Sequence, residues 1–112
     1  MARVEDQVLE YWERGTDEER IHHLRRIILV HSILYYRFDT SVIADHVFDG
    51  WTYELAQLQK ENPLAMVRVL YHKESFLFFS GADAYALPLY DRRATNRAIQ
   101  IKRERSKKAI WP

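Results

Sequence analysis

The chain has 112 residues, 47% hydrophobic and 13% aromatic, which suits one folded domain with a modest core and excludes a disordered segment. It has no Cys, so disulfides and thiolate chemistry are excluded and a reducing cytoplasm is expected; no apolar run approaches membrane-spanning length, and the charged start is unlike a signal peptide. Seventeen Lys and Arg against sixteen Asp and Glu leave a net charge of +1, which names no partner, while only three Gly and three Pro favour helices over a turn-rich β sandwich.

Val4, Val8, Tyr11 and Trp12 follow the spacing of an amphipathic first helix, and Gly15 fits its left-handed C-terminal position. Thr16-Asp17-Glu18-Glu19 reads as a capping box opening a second helix. Ile21, Leu24, Ile28 and Leu34 give that helix an apolar stripe, widened by Ile27 and Val30, and it should run to Tyr36 or Arg37. Asp39-Thr40-Ser41 breaks the pattern. Asp45 is placed to cap the third helix, whose apolar face carries Val47, Trp51, Leu55 and Leu58 and which stops near Asn62-Pro63. So short a link predicts an antiparallel hairpin over about 16–63.

Beyond Pro63 the periodicity weakens. Leu64, Val67, Leu70 and Tyr71 suit a short helix, and Phe76-Leu77-Phe78-Phe79 either ends a helix or forms a buried strand. Ser80-Gly81-Ala82-Asp83 reads as a turn and Leu87-Pro88-Leu89 as extended. Asp91 can cap a final basic helix running to about Lys108. The expected fold is therefore mainly α: a small single domain, 1–112, around a helical hairpin, with a short β or extended segment near 76–89.

Chemistry concentrates between Tyr35 and Asp49. Asp45 and Asp49, four residues apart, share a helix face, and the Tyr35–Tyr36 pair lies just across the turn. Aromatic rings and carboxylates in one crook can stack on a cationic ring and hold ribose hydroxyls. Taken singly, each residue is better explained as a cap, a solvated acid or a core aromatic; their convergence favours a site. His31 is four residues before Tyr35 and should border it. The five histidines lack metal-binding spacing, so no metal is expected. Neither a nucleophile elbow nor a Walker or Rossmann phosphate loop occurs. From Arg92 to Lys108 there are eight bases against the single acid Glu104. Arg92, Arg93, Arg97, Lys102 and Arg103 could follow a phosphate backbone, although no aromatic residue interrupts the run for base stacking and a solvated helix explains it better. Ile110 and Trp111 either dock on the globule or mark a partner surface.

The stretch His31–Pro63 resembles the N-terminal Ia domain of NAD-dependent bacterial DNA ligases. That domain's run of Tyr-Tyr-x-x-Asp, Ile-Ser-Asp, Glu-Tyr-Asp and a Leu-rich helix ending near His-Pro is matched by Leu34-Tyr35-Tyr36-Arg37-Phe38-Asp39, Val42-Ile43-Ala44-Asp45, Val47-Phe48-Asp49 and Tyr53-Glu54-Leu55-x-x-Leu58 down to Asn62-Pro63, without insertion. The resemblance implies a helical cap for the nicotinamide mononucleotide (NMN) half of NAD. Tyr35 and Tyr36 then match nucleotide-contacting positions, Asp45 and Asp49 match the two acids, and Phe48 stands where the family has Tyr, losing a hydroxyl. The sequence contains no Lys-x-Asp-Gly adenylation motif, so it is not a ligase by itself. The chain also looks like short, stand-alone ligase-related proteins of phages and prophages of Gram-positive bacteria, with which Phe76–Pro88 shares an aromatic, Gly-containing segment and a Leu-Pro turn.

The function expected is a non-catalytic, cytoplasmic, ligase-related phage accessory protein. It would bind NAD or NMN through Tyr35, Tyr36, Asp45, Phe48 and Asp49. A protein–protein adaptor or inhibitor using the hairpin as scaffold, and a nucleic-acid accessory using the basic helix, are the alternatives.

Overall fold

In the computed structural model, which describes residues 16–110 and their side chains as far as residue 105, the chain enters its long helix at Thr16. Thr16 Oγ1 accepts the amide hydrogen of Glu19 at 3.2 Å, and Asp17, Glu18 and Glu19 set negative charge against the positive end of helix α1, Asp17–Phe38. The amphipathic stretch expected over Val4–Trp12, its Gly15 stop and the Trp111 surface lie outside the described residues.

Helix α1 is the centre of the fold. Ile21, Leu24, Ile28, Leu29, Ile33 and Leu34 are fully buried, whereas Ile27 is only partly so. Its end falls at Phe38, one residue beyond the expected limit, because Asp39 takes a left-handed conformation at φ 47° and its amide donates to the carbonyl of Leu34. Thr40 donates to the same carbonyl at 2.9 Å.

Helix α2, Asp45–Glu61, returns antiparallel to α1. Thr16, Asp17 and Glu18 at the start of α1 lie beside Glu61 and Asn62 at the end of α2. Leu55 is fully buried, and Phe48, Trp51 and Leu58 pack partly against the core. The cap of this helix differs from the expectation for Asp45. Ala44 occupies that position in extended conformation, no side chain caps the helix, and the Ala44 carbonyl accepts from Val47 at 3.0 Å. Val42 packs against the core and Asp45 is the first helical residue.

Pro63 begins a short helix α3, Pro63–Arg68, and none of its residues is buried. Leu64, Val67 and Leu70 point to solvent, contrary to an amphipathic reading of 64–71. The segment is anchored by Arg25, which lies in the apolar face of α1 and is 0% exposed. Its guanidinium donates twice to Gln59 Oε1, at 3.1 and 2.8 Å, and to the carbonyls of Met66, Val69 and Tyr71 at 2.9, 2.9 and 3.2 Å. Gln59 in turn donates to the Phe76 carbonyl at 2.8 Å. A cation at the carbonyl end of α3 also complements that helix's dipole.

One turn of helix, α4, Lys73–Phe76, follows. The Phe76–Phe79 run therefore closes a helix, and there is no strand among the described residues, although Leu87 is extended as expected. Phe76 and Phe79 are buried and meet edge-on at 5.3 Å, whereas Phe78 is 92% exposed. The turn at Ser80–Asp83 leads to a 3-10 helix at Ala84–Ala86. Asp91 then caps α5, Arg92–Ile110, its carboxylate accepting the Ala94 amide hydrogen at 2.9 Å. Buried Ala94 and Ala98 allow α5 to lie close along α1. The fold is mainly α, as expected, with α1 packed against α2, α3, the 3-10 turn and α5.

Candidate nucleotide site at the helix hairpin

The linked end of the hairpin forms a cleft of about 320 Å³. Tyr35 and Tyr36 enter it from the last turns of α1 and remain 56% and 47% exposed, with their rings perpendicular at 4.9 Å. Two such rings present a face and an edge to one ligand, a geometry suited to stacking and to holding a cation. Asp45, Phe48 and Asp49 enter from the first turns of α2. Because Ala44 and not Asp45 occupies the cap position, the Asp45 carboxylate is not spent on the helix end. Both acids lie near the amide end of α2.

All five residues singled out from the sequence thus line one cavity, and His31 borders it as expected. The His31 ring meets Trp51 edge-on at 5.2 Å. Burial first, and the charge of Arg97 second, hold its pKa below the ordinary value, so His31 is neutral at pH 7. Thr40 and Ser41 in the link add hydroxyls to the lining.

The remaining wall comes from a segment that reads in the sequence only as a turn. Gly81 and Ala84 close the cleft from the turn that follows α4. Gly81 has φ +97°, and a Cβ there would sit 3.0 Å from Cβ and Oγ1 of Thr52. Only glycine fits both the backbone and the space. Thr52 is itself fixed by donating its hydroxyl hydrogen to the Asp49 carbonyl at 2.9 Å, so the turn rests directly on the acid-bearing segment of α2. The one available signal was a glycine in a predicted turn.

The basic residues lie elsewhere. Arg92, Arg93, Arg97 and Arg103 are exposed on α5, with Arg97 donating to Gln100 at 2.9 Å, and the Lys102 ammonium lies 5.4 Å from the centre of the Phe38 ring. None of them lines the cleft. Among the described residues, no group of three or more His, Asp or Glu is placed to hold a metal ion, and no helix is long and apolar enough to cross a membrane.

The comparison with known proteins coincides with this hairpin. Residues 14–68 match the family described as "DNA ligase-like, N-terminal NAD+-binding domain", and that stretch carries Tyr35, Tyr36, Asp45, Phe48 and Asp49. A DNA ligase of Endomicrobium trichonymphae is 40% identical over 50 residues, covering 45% of this chain and only 7% of that ligase. No solved structure matches. Gly81, Ala84 and all of α5 lie beyond the family match.

Proposed function

We propose that the Tyr–Asp cleft binds a nicotinamide nucleotide, NAD or NMN, and that the chain acts as a non-catalytic, ligase-related accessory protein. One observation carries this reading. Two aromatic residues, a third ring and two carboxylates, drawn from both arms of a hairpin similar to an NAD+-binding ligase domain, line one cavity large enough for a mononucleotide. Tyr35, Tyr36 and Phe48 would stack on the nicotinamide ring, and Asp45 and Asp49 would accept the ribose hydroxyl hydrogens. Phe48 offers a ring without a hydroxyl, so the polar contacts fall on the two acids and the tyrosines.

Calorimetric titration of the full chain with NAD and with NMN tests the proposal. Binding of either in the micromolar to low millimolar range is expected, together with loss of at least tenfold in affinity for Asp45→Ala and Asp49→Ala. No heat at millimolar ligand, or unchanged affinity in both variants, refutes it.

A further inference from the structure

We propose that the solvent-facing side of α5 is a docking surface for duplex DNA, set against the phosphates that border the major groove. As a sequence the run is merely basic; the fold divides it into two sides. Ala94 and Ala98 are buried and Ile101 packs on the same core, while Thr95 and Lys102 lie against Arg37 and Phe38. The opposite side carries Arg92, Arg93, Asn96, Gln100 and Arg103, all exposed, with exposed Arg97 on its flank. Four guanidinium groups and two amides thus share one face along roughly 17 Å of helix. This face is separate from the Tyr–Asp cleft and lies beyond the stretch similar to the ligase domain.

The helix itself gives no reason for this placement. Arg92 and Arg93 stand in its first turn, which holds no acid and where the dipole repels cations. Arg93 and Arg97, four residues apart, repel each other. The Asp91 cap offsets only part of this. Charges that work against their own helix are explained by an anion outside it. The geometry then narrows the anion. An α-helix fits the major groove of B-DNA, whereas that of A-form RNA is too narrow to admit one. Arginine forks match phosphate oxygens, and the Asn96 and Gln100 amides suit base edges. A membrane surface requires an outward apolar side, and the apolar side of α5 is packed on the core. Single strands require free rings for stacking, but the ring of Tyr90, just before the helix, already has the Arg37 guanidinium 4.2 Å from its centre.

Fluorescence anisotropy of a labelled DNA duplex of about 20 base pairs, titrated with the full chain, tests the proposal. Four neutralised phosphates predict a slope of about 3.6 in log Kd against log salt, so affinity should fall roughly a hundredfold between about 50 and 200 mM salt. The double variant Arg92→Gln with Arg103→Gln should reduce that slope by about 1.8 and weaken binding at low salt about tenfold. Arg92→Lys with Arg103→Lys keeps the charge and should retain most of the salt dependence, and circular dichroism checks that both variants remain folded. Poly(dT), duplex RNA and polyglutamate at equal charge are expected to compete less well than unlabelled duplex DNA. No anisotropy change at about 100 μM protein in low salt overturns the proposal, as does a slope below about 1. Binding untouched by the Gln variant shows that this face is not the surface. Competition by poly(dT), RNA or polyglutamate equal to that of the duplex overturns the choice of partner.

Discussion

Replacing Arg25 by Met is the sharpest test of how the hairpin is held to the rest of the chain. Met replaces the aliphatic stem of Arg25 and removes its guanidinium, so the change takes away the hydrogen-bonding fork together with the buried space it fills. Arg25 serves four acceptors, of which Gln59 Oε1 and the Val69 carbonyl are buried, while the Met66 and Tyr71 carbonyls are partly accessible. The two accessible carbonyls can turn to water. The two buried ones lose their partner outright, at about 1–3 kcal/mol each, for a gross loss of roughly 2–6 kcal/mol. Against this, the guanidinium no longer has to be desolvated without a carboxylate partner. That burden is visible in its pKa, drawn down to about 10 by burial. The net expectation is a destabilisation of about 2 kcal/mol, or roughly 8–16 °C in melting temperature for a domain of this size. Arg25→Lys should fare no better, because a point ammonium cannot span Gln59, Met66 and Val69 together. Thermal and urea unfolding followed by circular dichroism measure both. A shift below about 2 °C in Arg25→Met, or a Lys variant as stable as the parent chain, would show that the fork is not what holds residues 66–71.

Three further outcomes follow from local geometry. Gly81→Ala places a Cβ against Thr52 at a backbone angle that L residues rarely adopt, and should cost about 1–3 kcal/mol; a urea midpoint unchanged within error contradicts this. Thr16→Ala removes the cap of α1 and should lower stability by about 1 kcal/mol, with Thr16→Ser close to the parent, both read from denaturant midpoints. His31 has a folded-state pKa below its unfolded value of 6.5, so the stability it contributes is full above that pH and is lost as the pH falls through the folded value. His31→Asn should therefore flatten the decline in stability below about pH 6.5, and identical pH profiles for variant and parent would remove His31 as a cause.

How far the sequence could be read depended on how local each cause was. The α1 cap, the apolar stripe of α1 and the shared face of Asp45 and Asp49 arise within a few residues, and they appeared as written in the chain. The cap of α2 differs from the expectation because an acid after a turn suggests capping, whereas an extended Ala44 holds that position and no side chain caps the helix. The anchoring of residues 66–71 was invisible in their own apolar spacing. Its signal lay forty residues upstream, in a charged residue at position 25 on the face shared by Ile21 and Ile28, where only a fully partnered Arg can reside. The Gly81 wall arises from contact between distant segments, which no periodicity reports.

The same contacts bear on why the cleft has a fixed shape. Helix α1 buries nine residues, while α2 buries only Thr52, Leu55 and Gln59, so the hairpin by itself leaves much of α1 uncovered. Phe76, Phe79, Leu87, Ala94 and Ala98 complete that cover, and all lie beyond the stretch similar to the ligase domain. Two junctions tie this covering layer to the cleft. Arg37, beside Tyr36, bonds to Leu89 and Thr95, and Gly81 rests on Thr52, whose hydroxyl holds the carbonyl of Asp49. Both arms of the aromatic-and-acid crook are thus braced by the later half of the chain. A ligand that binds only the assembled cleft then stabilises the packing of that half by RT ln(1 + [L]/Kd), and a variant that populates the loosened state weakens the ligand in proportion to the assembled fraction it loses.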